Sequence, residues 1–375
     1  MKKLVLFTII CLMATMASAA TVTVDGINYS TNGLGSAKVI KSPDAKGDIV
    51  IPATIKYNRT ICAVTEIADS AFMYNDSITS FTIDSNNAYI TEIPKRAFYN
   101  CRNLTKVNIR NVTTIKEYAF YKCPSLSSID LSNVKSIGEY SMNYCGLTSV
   151  SIGAKCTQIG NAPFCDCPKL NSITVDKDNP NYDSRNNCNA IIETETNKLI
   201  QGCNTTVIPD DVQSIGTYAF KGCIFENIDI PNSITSIGDF AFCGNEKLKS
   251  IVLPPHINSI LNLFGDCPSL KSVSIQASVT SIRLSAFKRD DNLSTVVVNW
   301  TTPLELDKEV FATVKDGIFI VPTGTRELYR NAKGYENFTT IIEHGSSSSV
   351  DEDVNKDGDV NSLDVLKVYK YMQSH

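Results

Sequence analysis

A regular pattern of apolar positions recurs along most of the chain, mostly at steps of 22 residues. Each copy has an isoleucine, usually a phenylalanine five positions later, in most copies a cysteine three positions after that, and then a leucine. The stretch EYAFYKCPSLSSIDL, residues 117–131, shows the unit. The phenylalanine positions are Phe98, Phe120, Met142, Phe164, Phe220, Phe242, Phe264 and Phe287. A fixed period in the twenties predicts a solenoid of stacked coils.

Each copy predicts one short strand and one tight turn. After the cysteine, the apolar residues Leu126, Ile129 and Leu131 indicate a strand with one buried face. The Ala-Phe segment is too short for a full helix, so we expect one turn of α- or 3-10 helix there. A glycine after the isoleucine, as at Gly138, would permit the turn that reverses the chain. The predicted fold is therefore parallel β-strands with short helical turns, in about nine to ten coils of about 22–23 residues.

The pattern changes at both ends and once in the middle. Short alternating strands before the first coil predict a β cap, and loss of the period after Trp300 predicts a second cap with the strand GIFIVP and a helix in RELYRNAKGY. Between Phe164 and Phe220 the step is 56 residues, and the strands NAIIE and KLIQG predict a protruding hairpin. The divisions are an N-terminal cap (20–60), a solenoid (61–299) with a hairpin insertion (176–203), a C-terminal cap (300–343), a Ser- and acid-rich linker (344–352) and a last segment (353–375).

The first 19 residues have the pattern of a secretory signal peptide. Two lysines precede an apolar run from Leu4 to Met13, and small residues ending in Ala-Ser-Ala predict cleavage near Ala19. No other stretch approaches the roughly 18 apolar residues that a membrane helix needs. We therefore expect a secreted, extracellular or cell-surface protein without a transmembrane segment.

Twelve cysteines remain after the signal peptide, and six of them occupy one repeat position. Such a column predicts buried thiols that donate weakly to neighbouring carbonyls. Asn245 and Asp290 occupy the same position in other copies, which a disulfide framework would not tolerate. Among the remaining cysteines, Cys188 and Cys203 flank the predicted hairpin and are the candidate disulfide.

Composition excludes several classes of function. The chain has 35 basic and 39 acidic residues and no basic stripe, which argues against nucleic-acid binding. Only three histidines are present, His256, His344 and His375, so a His-based triad or zinc site has little to draw on. We therefore expect no enzymatic activity.

Two surfaces are candidates for binding a partner. The first is the outward face of the strands, where short polar residues suit a broad hydrogen-bonded contact, although any solvated strand face has this composition. The second is an aromatic column two residues before the repeated phenylalanine, which is more typical of packing between coils. It is formed by Tyr118, Tyr140, Tyr218 and Phe240, with Tyr99, Tyr121 and Tyr144 beside it. The candidates on the strand face are Ser128, Asp130, Ser149, Ser151, Ser172, Thr174, Ser250, Ser272 and Ser274.

The repeat itself resembles a known family. KCPSLSSIDLSNVKSIGEY and NEKLKSIVLPPHINSI follow the pattern C-x-x-L-x-x-I-x-L and I-G-x-x-A-F of the BspA-like leucine-rich-repeat surface proteins, and NWTTPLEL to IFIVPTGTRELYRNA is similar to their terminal segment. The resemblance covers residues 60 to 343. It implies a secreted or cell-surface protein that binds host or matrix proteins, other cells or glycans, without catalysis.

The last segment, DVNKDGDVNSLDVLKVYKYMQ, resembles one type I dockerin repeat, an EF-hand-like module that docks enzymes onto cohesin domains. Asp353, Asn355, Asp357, Asp359, Asn361 and Asp364 fall at the spacing of a calcium loop, with Gly358 at its sharp bend. Dockerins normally carry two such repeats, and this segment has one. The resemblance implies calcium as a cofactor and a cohesin as a possible partner, with Ser362 and Leu363 added to the candidate contacts.

Together these features predict a non-enzymatic leucine-rich-repeat protein that mediates adhesion or binds proteins or glycans. The alternative is an accessory component of an extracellular polysaccharide-degrading complex, docked through the calcium-binding segment. The sequence leaves the ligand itself open.

Overall fold

The computed structural model describes residues 20–31, 34–275, 279–283 and 286–343. Contacts divide the chain into two compact units. Among the described residues, those from 20 to 147 together with 158–163 form the first unit, and residues 148–157 together with those from 164 to 343 form the second. Each unit is a stack of coils joined by parallel strands, which confirms the predicted solenoid. The two units contain about 13 turns in all, more than the about nine to ten predicted.

The strands are short, and many consist of only two residues. In chain order the first are β1 (Ala20–Val24), β2 (Ile27–Thr31), β3 (Ser36–Val39), β4 (Gly47–Ile51), β5 (Thr54–Tyr57), β6 (Thr60–Ile67), β7 (Ile78–Ile83), β8 (Glu92–Ile93), β9 (Lys106–Asn108), β10 (Thr114–Ile115), β11 (Ser136–Ile137), β12 (Ser149–Ile152) and β13 (Gln158–Ile159). Then come β14 (Ser172–Val175), β15 (Tyr182–Asp183), β16 (Ala190–Glu193), β17 (Lys198–Gly202), β18 (Ser214–Ile215), β19 (Ser236–Ile237), β20 (Ser250–Val252), β21 (Ser259–Ile260), β22 (Ser272–Ile275), β23 (Ser281–Ile282), β24 (Thr295–Val298), β25 (Gly317–Val321) and β26 (Phe338–Glu343). The described helices are a 3-10 turn, Arg185–Asn187, and α1, Arg326–Arg330.

The extra turns come from the segments predicted to be caps. In the first unit, β4 pairs in parallel with β7, and β7 with β9, so residues before the first recognisable repeat already form a coil. In the second unit, β24, β25 and β26 continue the parallel sheet begun by β20 and β22. These segments pair like the repeats although their sequences lack the Phe and Cys positions by which the repeats were counted.

The repeated phenylalanines form the centre of each stack. In the first unit, Phe72, Phe98 and Phe120 stack with ring centroids 5.1 and 5.3 Å apart, all fully buried. In the second unit, the stack runs through Phe220, Phe242, Phe264, Phe287 and Phe311 at centroid distances of 5.4 to 6.0 Å. Because each inner ring lies between two others, these stacks run continuously through successive coils.

The Ala-Phe segments are consecutive turns rather than the predicted turn of helix. Within one coil, the N–H of Ala119 donates to the carbonyl of Lys116, and the N–H of Tyr121 donates to the carbonyl of Tyr118. The alternate N–H groups, those of Tyr118 and Phe120, donate to the carbonyls of the next coil. Tyr118 has a left-handed backbone, with φ of 57°, which turns these donors out of a helical arrangement. The demand for hydrogen bonds between coils therefore overrides the local helical tendency.

The glycine after the isoleucine is needed for close approach. Gly138 does not have the left-handed backbone that a turn-forming glycine would show. A Cβ at Gly138 would lie 2.6 Å from the backbone nitrogen of Glu117 on the neighbouring coil. The same distance separates a Cβ at Gly160 from the nitrogen of Glu139. At these two glycines a side chain would therefore collide with the backbone of the neighbouring coil, whereas Pro94 and Lys116 occupy the same repeat position in other coils.

The predicted hairpin in residues 176–203 is present as β16 and β17, but it does not protrude, because it belongs to the stack of the second unit. Strands β16 and β17 pair in antiparallel fashion, but β17 also pairs in parallel with β18, placing Leu199 opposite Ile215. Three successive residues of β16, Ala190, Ile191 and Ile192, are buried. Since successive side chains of a strand point to opposite faces, both faces of β16 are covered.

The cysteine column is the predicted ladder of thiol donors. The Sγ atoms of Cys101, Cys123 and Cys145 lie 3.0, 3.1 and 3.2 Å from the carbonyl oxygens of Phe72, Phe98 and Phe120. Burial raises the pKa of the Cys101 thiol to about 12, and that of Cys123 well above its ordinary value, so both keep the proton that they donate. The predicted disulfide is not formed: Cys188 and Cys203 are free and buried, and Cys203 Sγ lies 3.3 Å from the carbonyl of Asn189.

Candidate binding surfaces

Four of the predicted strand-face residues form one polar patch in the second unit. Strands β12 and β14 pair in parallel, which places Ser149 opposite Ser172 and Ser151 opposite Thr174. All four point outward, and the hydroxyl of Thr174 lies 3.2 Å from that of Ser151. The patch is hydrated and hydrogen-bonded within itself, as expected for either a binding surface or an ordinary strand face.

Ser128 and Asp130 lie in the first unit, outside any regular strand, and both are exposed. The carboxylate of Asp130 accepts a hydrogen bond from the N–H of Ser132, and this contact lowers the pKa of Asp130. The carboxylate thus stabilises its own turn. Ser250, in the second unit, is half-buried and its hydroxyl lies 3.1 Å from Asn227 Oδ1.

Ser272 and Ser274 are buried, so their prediction as exposed contacts is wrong. Their exposed fractions are 5% and 1%. Ser274 lies between Val252 of β20 and Val297 of β24 in the register of the sheet, and both of these side chains are larger. A small hydroxyl between larger apolar neighbours is shielded from solvent.

Ser272 and Ser274 are shielded because they lie beside an outward row of apolar side chains, which was not predicted from the sequence. We call Val252, Val297, Ile318, Ile320 and Ile342 the apolar stripe; they form a cluster on the outward face of β20, β24, β25 and β26, separate from the main core. A signal for it exists in the sequence. The runs TVVV (295–298) and GIFIV (317–321) are continuously apolar, which is typical of strands with both faces apolar. A half-solvated strand would alternate.

A cleft of about 620 Å³ also opens in the second unit. Its walls come from residues 206–210 and 227–233. Neither segment contains a paired strand. The exposed side chain of Val207 lies at the cleft with Asn227, Asp229 and Asn232. None of these residues was predicted to form a binding surface.

The most distinctive surface is a group of tyrosines in the first unit. We define the tyrosine surface as Tyr74, Tyr99, Tyr118, Tyr121, Tyr140 and Tyr144. Tyr99 stacks on Tyr121 and Tyr118 on Tyr140, with centroids 4.9 and 5.3 Å apart. Edge contacts at about 5.5 Å join Tyr74 to Tyr99, Tyr118 to Tyr121 and Tyr121 to Tyr144. Six rings from four coils therefore make one continuous aromatic face.

Two cations lie over these rings. The guanidinium of Arg96 is 5.6 Å from the centroid of Tyr118, and the ammonium of Lys122 is 5.6 Å from Tyr121 and 5.4 Å from Tyr144. These are cation–π distances, which orient the rings at the surface. Lys95 forms an ion pair with Glu117 beside them, and this contact lowers the pKa of that exposed carboxylate.

The backbone under the tyrosines is strained. Tyr74, Tyr118, Tyr140 and Tyr144 all have φ between 51° and 61°, a left-handed conformation that bulky residues rarely adopt. The position equivalent to Tyr74 and Tyr144 is occupied in other coils by Asn100 and Asp166, which adopt it readily. Lys122 and Arg289 adopt the same conformation at this position, and Arg96, Tyr218 and Phe240 adopt it at the position of Tyr118, so the left-handed backbone belongs to the coil and does not by itself mark a binding site.

The structure places no predicted calcium ligand, because Asp353 to Asp364, and with them Ser362 and Leu363, lie outside the described residues, as does the signal peptide. Within the described ranges, no group of three or more His, Cys, Asp or Glu side chains is arranged to hold a metal ion. In that same part of the chain, no helix has the length and apolar character needed to span a membrane.

Comparison with protein families identifies the fold. A model described as BspA type Leucine rich repeat region matches residues 65–189 and 190–316 with six copies. The match spans more than half of the chain, so the chain belongs to this family, and the resemblance inferred from the repeat is confirmed. No curated protein shows significant similarity to the chain.

Solved structures show the same architecture. A leucine-rich cell surface protein from Faecalibacterium prausnitzii is 24% identical with a TM-score of 0.52, covering 88% of this chain and 96% of that one. The pneumococcal vaccine antigen PcpA is 18% identical, with a TM-score of 0.58 and coverages of 88% and 99%. A leucine-rich-repeat protein from Bacteroides ovatus is 23% identical, with a TM-score of 0.55 and coverages of 85% and 88%. At these identities the likeness concerns the fold.

Proposed function

We propose that this protein is a non-enzymatic, secreted or cell-surface adhesion protein that binds a protein partner through the tyrosine surface. The observation that carries the proposal is the aromatic face of six tyrosines on four coils, of which Tyr74 and Tyr144 are 61% and 38% exposed. Tyrosine is enriched at protein interfaces because its ring buries a large area and its hydroxyl keeps a hydrogen-bonding group. Membership of the family and the signal-peptide pattern support the surface location.

The stacking favours a protein over a glycan. A sugar ring binds against an open aromatic face, but Tyr99 and Tyr121 cover each other, as do Tyr118 and Tyr140. What remains accessible is a set of ring edges and hydroxyl groups, flanked by Arg96 and Lys122. This mixture of apolar edges, hydroxyls and cations matches the composition of protein–protein interfaces.

A binding screen with paired variants tests the proposal. The mature protein is screened against matrix proteins, mucins and polysaccharides, and each hit is measured again with the double variant Tyr74→Asn/Tyr144→Asn. Asparagine suits the left-handed backbone, as Asn100 shows, so the variant keeps the fold. We expect at least about tenfold weaker binding, or about 1.4 kcal/mol.

The matched control is Tyr89→Asn, which removes a tyrosine that is 60% exposed and has no ring contact with the tyrosine surface among the contacts described. It should bind like the wild type. Equal binding by the double variant and the wild type would refute the assignment of the surface. If the mature protein bound only polysaccharides in the screen, the partner would be a glycan and not a protein.

The alternative function, docking to an extracellular polysaccharide-degrading complex, rests on the sequence of residues 353–375. Cohesin domains should capture the full chain in calcium and release it in a chelator, and Asp353→Ala/Asp357→Ala should abolish capture because two loop carboxylates are lost. Calcium-dependent capture would favour this alternative over adhesion. Absence of capture in calcium would remove it.

A further inference from the structure

The apolar stripe ends at the strand from which the last segment leaves the described chain. The register of the sheet puts Val252, Ser274, Val297, Ile320 and Ile342 in one row across five strands. The last of these lies on β26, which ends at Glu343. Five strands at roughly 4.8 Å spacing make this row about 19 Å long. Val252, Ile318 and Ile342 of the stripe are half-buried, so part of it is open to another apolar surface.

The polar groups beside the stripe also point to a covering partner. Ser272 is 5% exposed, and its hydroxyl has no hydrogen-bond partner among the described residues. A buried hydroxyl without a partner costs free energy, so a group that reaches it would be stabilised. Val297 and Ile320 are 3% and 6% exposed, and their described apolar neighbours all belong to the same face.

The remaining chain carries a complementary surface. Val365, Val368, Tyr369 and Met372 recur at the spacing of one helix face. The segment 353–375 is far below the roughly 40 residues under which a chain usually needs a disulfide, a metal ion or association with another surface. A partner surface would stabilise its apolar face, and the nearest one in sequence is the sheet that the chain has just left.

The lengths of the linker and of the apolar segment are compatible with docking on the stripe. Nine linker residues, 344–352, separate β26 from the predicted calcium loop. A flexible polar chain of nine residues has a root-mean-square span of about 17 Å, enough to reach the neighbouring strands of the sheet. The eight residues from Val365 to Met372, if helical, rise about 10.5 Å, close to the distance of about 9.6 Å between β24 and β26.

We propose that the C-terminal segment docks intramolecularly on the apolar stripe through Val365, Val368, Tyr369 and Met372. The stripe is then the platform that orients the predicted calcium loop on the second unit. This proposal concerns the second unit and does not depend on the tyrosine surface.

Hydrogen exchange of the full chain tests the docking in buffer that contains calcium. Amides of residues 365–372 should exchange at least tenfold more slowly in the wild type than in Ile320→Ser. Serine is compatible with this outward position, because Ser274 occupies the same row. Val50→Ser, an outward valine of β4 in the first unit with 50% exposure, is the matched control and should leave the exchange of residues 365–372 unchanged.

A second variant, Val368→Ser/Met372→Ser, changes only the docking segment and keeps the test valid if Ile320→Ser lowers the stability of the sheet. It should also lose the tenfold protection. Equal exchange of these amides in the wild type and Ile320→Ser would overturn the proposal. Protection that disappears on dilution, with a dimer seen by light scattering, would overturn it in favour of a second copy of this chain.

Discussion

Phe242→Ala should lower the free energy of unfolding of the second unit by about 3–5 kcal/mol. Phe242 is fully buried between Phe220 and Phe264, with ring centroids 5.4 and 6.0 Å away. Removal of its ring leaves a cavity at the centre of the stack, where neighbouring coils are held apart by their backbone hydrogen bonds and cannot close the gap. Chemical denaturation followed by circular dichroism measures the loss.

The same coil offers a control. Phe240 is half-exposed and stacks only on Tyr218, at 5.3 Å. Phe240→Ala removes the same ring without opening a cavity in the core, so it should cost less than about 1.5 kcal/mol. Comparable losses for the two variants would contradict the claim that the buried phenylalanine stack is the main source of cohesion between coils.

Asp290→Asn should stabilise the protein, and the gain should grow with pH. Asp290 occupies a cysteine position of the ladder and is fully buried. Burial raises the pKa of its carboxyl to about 8, helped by the charges of Asp266 and Asp291 and opposed by the hydrogen bond from the N–H of Cys267. The folded state therefore holds a proton that the unfolded chain, with an ordinary pKa of 3.8, has lost.

The direction in which stability changes with pH follows from the raised pKa of Asp290. Between about pH 4 and pH 8 the folded state binds more protons, so the stability of the wild type falls as pH rises, by up to about 1.4 kcal/mol per pH unit. Asparagine keeps the acceptor for Cys267 and adds a donor, as Asn245 does with the carbonyls of Phe220 and Phe242. Denaturation at pH 5, 6.5 and 8 should show the fall in the wild type and its loss in Asp290→Asn.

Asp291→Asn is the control for charge, because Asp291 is exposed and adjacent in sequence. It should keep the fall in stability with rising pH, over a slightly narrower range, because the charge of Asp291 is the smallest of the causes that raise the pKa of Asp290. Parallel pH profiles for the wild type and Asp290→Asn would show that the carboxyl is charged or hydrated in the folded state, contrary to its buried position.

The repeated residues determine the part of the fold that the sequence predicts. Phe120, Cys123 and Ile115 recur because each coil needs a ring for the stack, a donor for the carbonyl ladder and a buried strand residue. These demands are the same in every coil, so they leave a period in the sequence. The solenoid, the thiol ladder and the parallel pairing of the isoleucines could all be predicted from that period.

The errors arise where contacts are made by residues outside the period. β4 and β25 form coils with other residues at the core positions, and so they were predicted to be caps. The insertion carries strand β17, whose pairing with β18 is a tertiary contact with no local signature. Gly138 was assigned to a turn because its actual role, allowing Glu117 to approach, depends on a residue of another coil.

The tyrosine surface could be predicted only in part. The sequence shows a column at Tyr118 and Tyr140, which does pack between coils as expected. The sequence also places Tyr99, Tyr121 and Tyr144 beside this column, one or two residues after the stack position, whereas Tyr74 was not predicted as a member. A sequence period identifies residues that share one position of the repeat. The tyrosine surface combines residues from three such positions, which are joined by edge contacts between their rings. Its left-handed backbone is also visible only in the structure.

Hydroxyl-radical footprinting of the protein bound to its partner tests the central claim most directly. Tyr74 and Tyr144 should be oxidised several-fold more slowly in the complex, while Tyr89, which is as exposed as Tyr74, should react at the same rate free and bound. Unchanged oxidation of Tyr74 and Tyr144 in a saturated complex would contradict the account and place the interface elsewhere.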